Sequence, residues 1–219
     1  MSRTARKRKK SRLVPAEAMP VLFLGGILAD FIAAAANGIL GWKNSCAWQG
    51  TLCFYYLCLG SLKFVFLSAA LTGVSKVTMM RNAKKAYYLV SWACLLLNIV
   101  FGGIIYMMAV DEESSHYPGI VCVLIILYAC FMVLFFAVLY WTNGSGKRGP
   151  LGNAMGVLGW MDAAVLILML ETVVIDATGA RASKAGGVMI AVTGVILWLL
   201  LLITALGGIK WGDINLNRK

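Results

Sequence analysis

Residues 187–210 read GVMIAVTGVILWLLLLITALGGIK, and no charged side chain occurs among them before Lys210. A helix rises about 1.5 Å per residue, so roughly 20 apolar residues cross the ~30 Å hydrocarbon core of a bilayer. Backbone N–H and C=O groups find no partners in lipid, and a segment that crosses it therefore has to be helical. This stretch predicts a transmembrane helix.

Five further apolar stretches of similar length precede it. Hydrophobic residues make up 61% of the chain and charged residues only 13%, about half their share in a soluble domain. The chain is expected to be an all-α integral membrane protein, a six-transmembrane-helix bundle. The predicted spans are 20–42, 52–74, 86–109, 119–142, 153–175 and 187–210. Residues 1–18 are then a basic cytoplasmic tail, 19–210 the membrane domain and 211–219 a short cytoplasmic tail.

Lysine and arginine residues are distributed unevenly between the two sides of these spans. Sixteen of the 20 lie in the N-terminal tail, in the connections after spans two and four, or at the C-terminal end. Basic loops tend to stay on the cytoplasmic side. Both termini are therefore predicted to be cytoplasmic, or on the equivalent side of an organelle. The acidic run Asp111, Glu112 and Glu113 is predicted on the opposite side.

The strongest block of charge lies in the N-terminal tail, at Arg6, Lys7, Arg8, Lys9 and Lys10. In a soluble protein such a block is typical of nuclear localisation or nucleic-acid binding. Beside a membrane span it is better explained by contact with anionic lipid, worth about 1 kcal/mol per residue near the surface. The expected partners are the lipid bilayer and its anionic lipids, and no nucleic acid. A sorting or docking segment is the alternative.

The sequence carries no catalytic or cofactor signature. The single histidine, His116, is predicted in an outer loop, which argues against haem ligation and serine–histidine proteolysis within the membrane. The six cysteines have no metal-binding spacing. They are expected to pack as small apolar residues, with one disulfide among Cys46, Cys53 and Cys122 as the alternative. We therefore expect no enzyme activity, no cofactor and no metal site.

Four ionisable residues lie inside the predicted spans: Asp30, Lys63, Asp162 and Glu171. Each costs about 2.5 to 3.5 kcal/mol at a helix centre on insertion scales, so such residues usually face the bundle interior and have a partner or a role. The first three are predicted near the bilayer midplane. Glu171 follows Asp162 by nine residues. It is therefore predicted about 13 Å further out, on roughly the opposite side of the fifth span.

Two interpretations of the three midplane charges are open. In the first, Lys63 pairs with Asp30 or Asp162 and specifies how spans one, two and five pack. In the second, the two acids and one base form a site for protons or cations, with Glu171 on its outer approach. The expected function is a small multi-pass transporter or channel-like protein. The alternative is a non-catalytic accessory or scaffold subunit of a membrane assembly, as a homo- or hetero-oligomer.

Small residues indicate where helices approach each other closely. Span one contains Ala29 and Ala33, four residues apart, and span five begins with a similar glycine pair. Because buried acids lie in the same two spans, spans one and five are predicted to form the inner pair of the bundle. Asn37 and Asn98 are expected to hydrogen-bond across helices.

Overall fold

A computed structural model of the protein describes the backbone of residues 18–71, 76–110, 119–120, 122–131, 150–179 and 184–217. Within these residues the chain is helical apart from short turns, and no strand occurs. The helices are α1 (Ala18–Asn44), α2 (Ala47–Leu71), α3 (Lys76–Val110), α4 (Cys122–Phe131), α5 (Pro150–Ala177) and α6 (Lys184–Asn217). The predicted all-α class is confirmed for this part of the chain.

Five of the helices, α1, α2, α3, α5 and α6, are long and apolar enough to cross a membrane. Large apolar side chains point outward from them: Leu28, Ile99 and Ile203 are each more than half exposed. Exposed apolar surface on this scale is unusual for a protein that is surrounded by water. The chain therefore has the character of a multi-pass integral membrane protein in a lipid bilayer.

Some predicted features lie outside the described residues. The polybasic block at Arg6, Lys7, Arg8, Lys9 and Lys10 is one of them. The second is the outer loop that contains His116 and the acidic run. The third is the later part of the fourth predicted span, of which the structure describes residues up to 131.

Several helices extend beyond the predicted spans. α2 begins at Ala47, five residues before the predicted span, so Trp48 and Gln49 belong to the helix and not to a connection. α3 begins at Lys76, ten residues early, and α6 continues to Asn217 through the predicted C-terminal tail. Hydropathy marks only the apolar part of a helix, whereas backbone hydrogen bonding continues into polar ends.

α1 and α2 form a tight antiparallel hairpin. Two residues connect them: Ser45 has a positive φ of 52°, and the Cys46 N–H donates to the Gly41 carbonyl at 2.9 Å. Beside the turn, a Cβ on Gly41 would lie 2.8 Å from the backbone nitrogen of Gly50. A larger residue at position 41 would push the two helices apart, so this glycine sets the spacing of the hairpin.

α3 and α6 form a second antiparallel pair. The Trp198 indole N–H donates to the Asn98 carbonyl at 2.9 Å, and the Asn98 side-chain amide donates to the Trp198 carbonyl at 3.3 Å. Further along, Gly194 packs so closely on Ile105 that the glycine has no room for a Cβ. The prediction that Asn98 bonds across helices is confirmed.

Two packing predictions are wrong. The Asn37 side-chain amide donates to the Ala33 carbonyl of its own helix at 2.8 Å, because a carbonyl one turn back is always within reach. Spans one and five do not form the inner pair: α1 packs along α2, whereas α5 packs against α3 and α6. The two-residue turn ties α1 to α2, and this connection outweighs the small-residue pattern.

Candidate functional site

The candidate site is a buried ion-pair cluster formed by Asp30 on α1, Lys63 on α2 and Asp162 on α5. The Lys63 ammonium nitrogen lies 2.7 Å from Asp30 Oδ2 and donates a hydrogen bond to Asp162 Oδ2. None of the three residues is more than 3% exposed. The lysine therefore contacts both aspartates, and the cluster joins three helices.

The α1–α2 hairpin brings Asp30 to Lys63. The two residues lie at similar distances from the turn, fifteen residues before Ser45 and seventeen after Cys46. Gly60 allows the close approach, since a Cβ at this position would lie 3.2 Å from the Asp30 Cβ. This half of the cluster follows from local chain connectivity.

Helix α5 brings Asp162 to the same level from a distant part of the chain. The Tyr56 hydroxyl of α2 donates to the Met169 sulfur of α5 at 3.4 Å. Tyr56 precedes Lys63 by seven residues, and Met169 follows Asp162 by seven. Seven residues are about two turns, so both contacts lie on the same helix faces, roughly 10 Å apart. α2 and α5 are therefore antiparallel, in a register that sets Lys63 opposite Asp162.

Charge in the cluster is unbalanced. Two carboxylates share one ammonium, which leaves one net negative charge when all three groups are ionised. Moving an ion from water into a low-dielectric interior costs several kcal/mol unless other groups compensate it. The remaining carboxylate oxygens, Asp30 Oδ1 and Asp162 Oδ1, have no hydrogen-bond partner among the described residues. The cluster has acceptor capacity for one further proton or small cation.

Three tyrosines that have no clear signal in the sequence lie near the cluster. Tyr55 and Tyr56 are buried on α2, Tyr128 lies on α4, and all three are within electrostatic range of both carboxylates. The Tyr55 and Tyr128 hydroxyls have no hydrogen-bond partner within the described part of the chain. Only Tyr56 has a sequence pattern that could have indicated it, since it lies two turns from Lys63 on one helix face.

Glu171 lies apart from the cluster, where α5 meets α6. Its Oε1 accepts a hydrogen bond from the Thr193 hydroxyl of α6 at 3.0 Å. Its nine-residue separation from Asp162 turns the two carboxylates to different sides of α5. Of the four ionisable residues that the sequence singles out, the structure thus brings three together and directs the fourth to another interface.

The described residues contain no group of three or more His, Cys, Asp and Glu side chains that could hold a metal ion. The six cysteines, all of them described, form no disulfide, so the predicted alternative among Cys46, Cys53 and Cys122 is not seen. Comparisons of the chain with protein-family models, with curated proteins and with solved structures find no match.

Proposed function

We propose that this protein is a small transporter that moves protons or small cations across a membrane through the ion-pair cluster. The observation that carries the proposal is the second buried carboxylate: Asp30 and Asp162 both contact Lys63 in the bundle interior. A bundle that needed only to align its helices would be served by one acid and one base, which balance each other. The additional acid provides a position for one positive charge.

Charge balance gives the cluster two states. With a proton or cation bound, the cluster is neutral and suited to a low-dielectric interior. Without it, one net negative charge remains, which attracts the next cation. Because Lys63 contacts both aspartates, its ammonium can pair with whichever carboxylate is not occupied. A carrier requires this kind of exchange at one site that opens alternately to the two sides of the membrane.

Helix directions support six spans. α6 is antiparallel to α3, through the Asn98–Trp198 and Ile105–Gly194 contacts, and antiparallel to α5, through the short connection and the Glu171–Thr193 hydrogen bond. α3 and α5 therefore run in the same direction. In a bilayer the chain between them has to cross the membrane once more, and α4 lies in that segment. We infer that α4 belongs to the span predicted at residues 119–142.

The same directions bring the starts of α1, α3 and α5 and the end of α6 to one end of the bundle. We name it the basic end, because Lys76 begins α3 and Lys210 lies near the end of α6. The opposite end, which holds the α1–α2 connection, is the turn end. The positive-inside rule predicts that the basic end and both termini are cytoplasmic. The polybasic block at residues 6–10 precedes α1 and is expected to contact anionic lipid there.

Reconstitution into liposomes that contain a pH-sensitive dye tests this proposal. The purified wild type should change the internal pH in response to an imposed gradient, and Asp30→Asn or Asp162→Asn should abolish the change. Exchanging Na⁺ for K⁺ or for an impermeant cation distinguishes a proton carrier from a cation exchanger. Asn98→Leu is the matched control, because it removes a buried polar contact between α3 and α6 and leaves the cluster intact. This variant should retain flux.

A wild type without flux, or aspartate variants with undiminished flux, would refute the transport proposal. Absence of flux together with a stoichiometric co-purifying partner, retained by Asp162→Asn, would favour the accessory or scaffold subunit instead. The cluster would then serve to align α1, α2 and α5. The exposed apolar faces of the bundle would contact another membrane protein.

A further inference from the structure

Buried polar side chains extend from the cluster toward the turn end. On α1, Asn37 follows Asp30 by seven residues, and on α2, Tyr56 and Gln49 precede Lys63 by seven and fourteen. These spacings are close to whole numbers of helical turns, so the residues share the faces that carry the cluster. Asn37, Tyr56 and Gln49 are at most 3% exposed. The bundle therefore contains a column of buried polar side chains, formed by Asn37, Tyr56 and Gln49, between the cluster and the turn end. We refer to it as the polar column.

Some polar atoms in this column have no hydrogen-bond partner among the described residues. They are the oxygen and the nitrogen of the Gln49 amide and the Oδ1 atom of Asn37. Buried polar groups are normally bonded to protein or to ordered water, because an unmade hydrogen bond costs stability. A fully buried glutamine without a protein partner is most directly explained by water molecules that reach it.

On the other side of the cluster, the buried side chains that the structure describes on α1, α2 and α5 are apolar. Toward the basic end, the buried side chains of the three helices include Ile27 on α1, Phe66 and Leu67 on α2, and Leu158 on α5. Among the described residues of these helices on that side, no buried side-chain polar atom lacks a hydrogen-bond partner. Close packing of apolar side chains excludes water. The two sides of the cluster thus differ in their capacity for hydration.

We propose that Asn37, Tyr56 and Gln49 line a hydrated half-channel that connects the cluster with the turn end, while apolar packing closes the path to the basic end. The channel spans about 20 Å, the length of fourteen helical residues between Lys63 and Gln49. This inference rests on the proposed transport function and adds the side from which the ion reaches the cluster, the non-cytoplasmic one. A hydrated path that ends at a net negative charge favours cations over anions.

Thiol accessibility in lipid nanodiscs, which expose both faces of the protein, tests the half-channel without a transport assay. Gln49→Cys should react with a cationic methanethiosulfonate reagent, and mass spectrometry locates the adduct. Val157→Cys is the matched control: Val157 is buried on α5, on the basic-end side of the cluster, and this thiol should stay unmodified over the same exposure. The buried native thiol of Cys94 is an internal reference in both samples.

Modification at position 49 but not at position 157 supports the half-channel, and in liposomes the adduct should block the flux of the variant. An inert Gln49→Cys in a protein that carries flux would overturn the inference, as would equal reactivity at both positions. A reactive Gln49→Cys in a protein without flux would support the hydrated path and refute the transport function. If Gln49→Cys does not fold, Asn37→Cys replaces it with the same expected outcomes.

Discussion

Replacing Lys63 by methionine removes the ammonium that two buried carboxylates contact, while it keeps a side chain of similar length. At the 2.7 Å separation from Asp30, Coulomb's law with an effective dielectric constant of about 20 gives roughly 6 kcal/mol before desolvation. Removing one partner of a buried ion pair costs about 3 to 5 kcal/mol net. We expect Lys63→Met to lower the free energy of unfolding by at least this amount, because two carboxylates lose their partner.

Asp30→Asn is expected to have a much smaller effect. It leaves Lys63 and Asp162 as a balanced pair, and polar contacts between membrane helices contribute only about 0.6 kcal/mol on average. Each substitution replaces one charged member of the cluster. Comparing them therefore separates the effect of net charge from the effect of losing a polar contact.

The free energy of unfolding of each variant is measured by titrating the purified protein in mixed micelles with a denaturing detergent. Circular dichroism reports the remaining helix content at each step. Lys85→Met, the same substitution at an exposed lysine of α3, is the control and should unfold like the wild type. Equal stability of Lys63→Met and wild type would refute the reasoning, because the ammonium would then not hold the carboxylates in the folded protein. A loss for Asp30→Asn as large as for Lys63→Met would refute the charge-balance argument.

Two further predictions concern the helix pairs around the cluster, and the same titration checks both. Gly41→Ala should destabilise the hairpin by about 1 to 3 kcal/mol through overpacking, because its Cβ would lie 2.8 Å from the Gly50 nitrogen. Gly25→Ala has open space around the new Cβ and should leave the midpoint of the unfolding titration unchanged. Equal destabilisation by Gly25→Ala and Gly41→Ala would contradict the close approach of Gly41 to Gly50. Asn98→Leu should lower the free energy of unfolding by about 1 kcal/mol, because the Trp198 carbonyl loses the hydrogen bond from the Asn98 amide. An unchanged midpoint of the unfolding titration would show that this hydrogen bond contributes nothing to stability.

Hydropathy predicts most of each membrane helix because apolarity is a sum over neighbouring residues and needs no knowledge of the fold. The predicted first span, 20–42, lies within α1, and the predicted fifth span, 153–175, lies within α5. Hydropathy does not mark the part of a helix that continues into polar residues. The predicted span 52–74 therefore leaves Gln49 in a connection, although it is a fully buried residue of α2.

Candidate site residues could be found from the sequence because a charged side chain in a hydrophobic stretch costs free energy and usually has a partner or a functional role. The cost of burial singles out Asp30, Lys63 and Asp162. It singles out Glu171 equally, although the partner of Glu171 lies on α6. Tyrosines carry no such cost, and nothing in the local pattern distinguishes Tyr128 from other aromatic residues of an aromatic-rich chain. Their relation to the cluster exists only in three dimensions.

The sequence by itself determined the solvent of this protein and its helical class, because a long apolar segment in lipid has to satisfy its backbone internally. It also determined which ionisable residues cost free energy when they are placed inside the membrane. Only the tertiary structure decided that Lys63 contacts two aspartates and that Asn37 hydrogen-bonds within its own helix. It also decided that the polar column lies between the cluster and the turn end. The physical reason is that helical periodicity assigns a residue to a face. The neighbour of that face depends on helix rotation, register and close approaches such as that of Gly41 to Gly50.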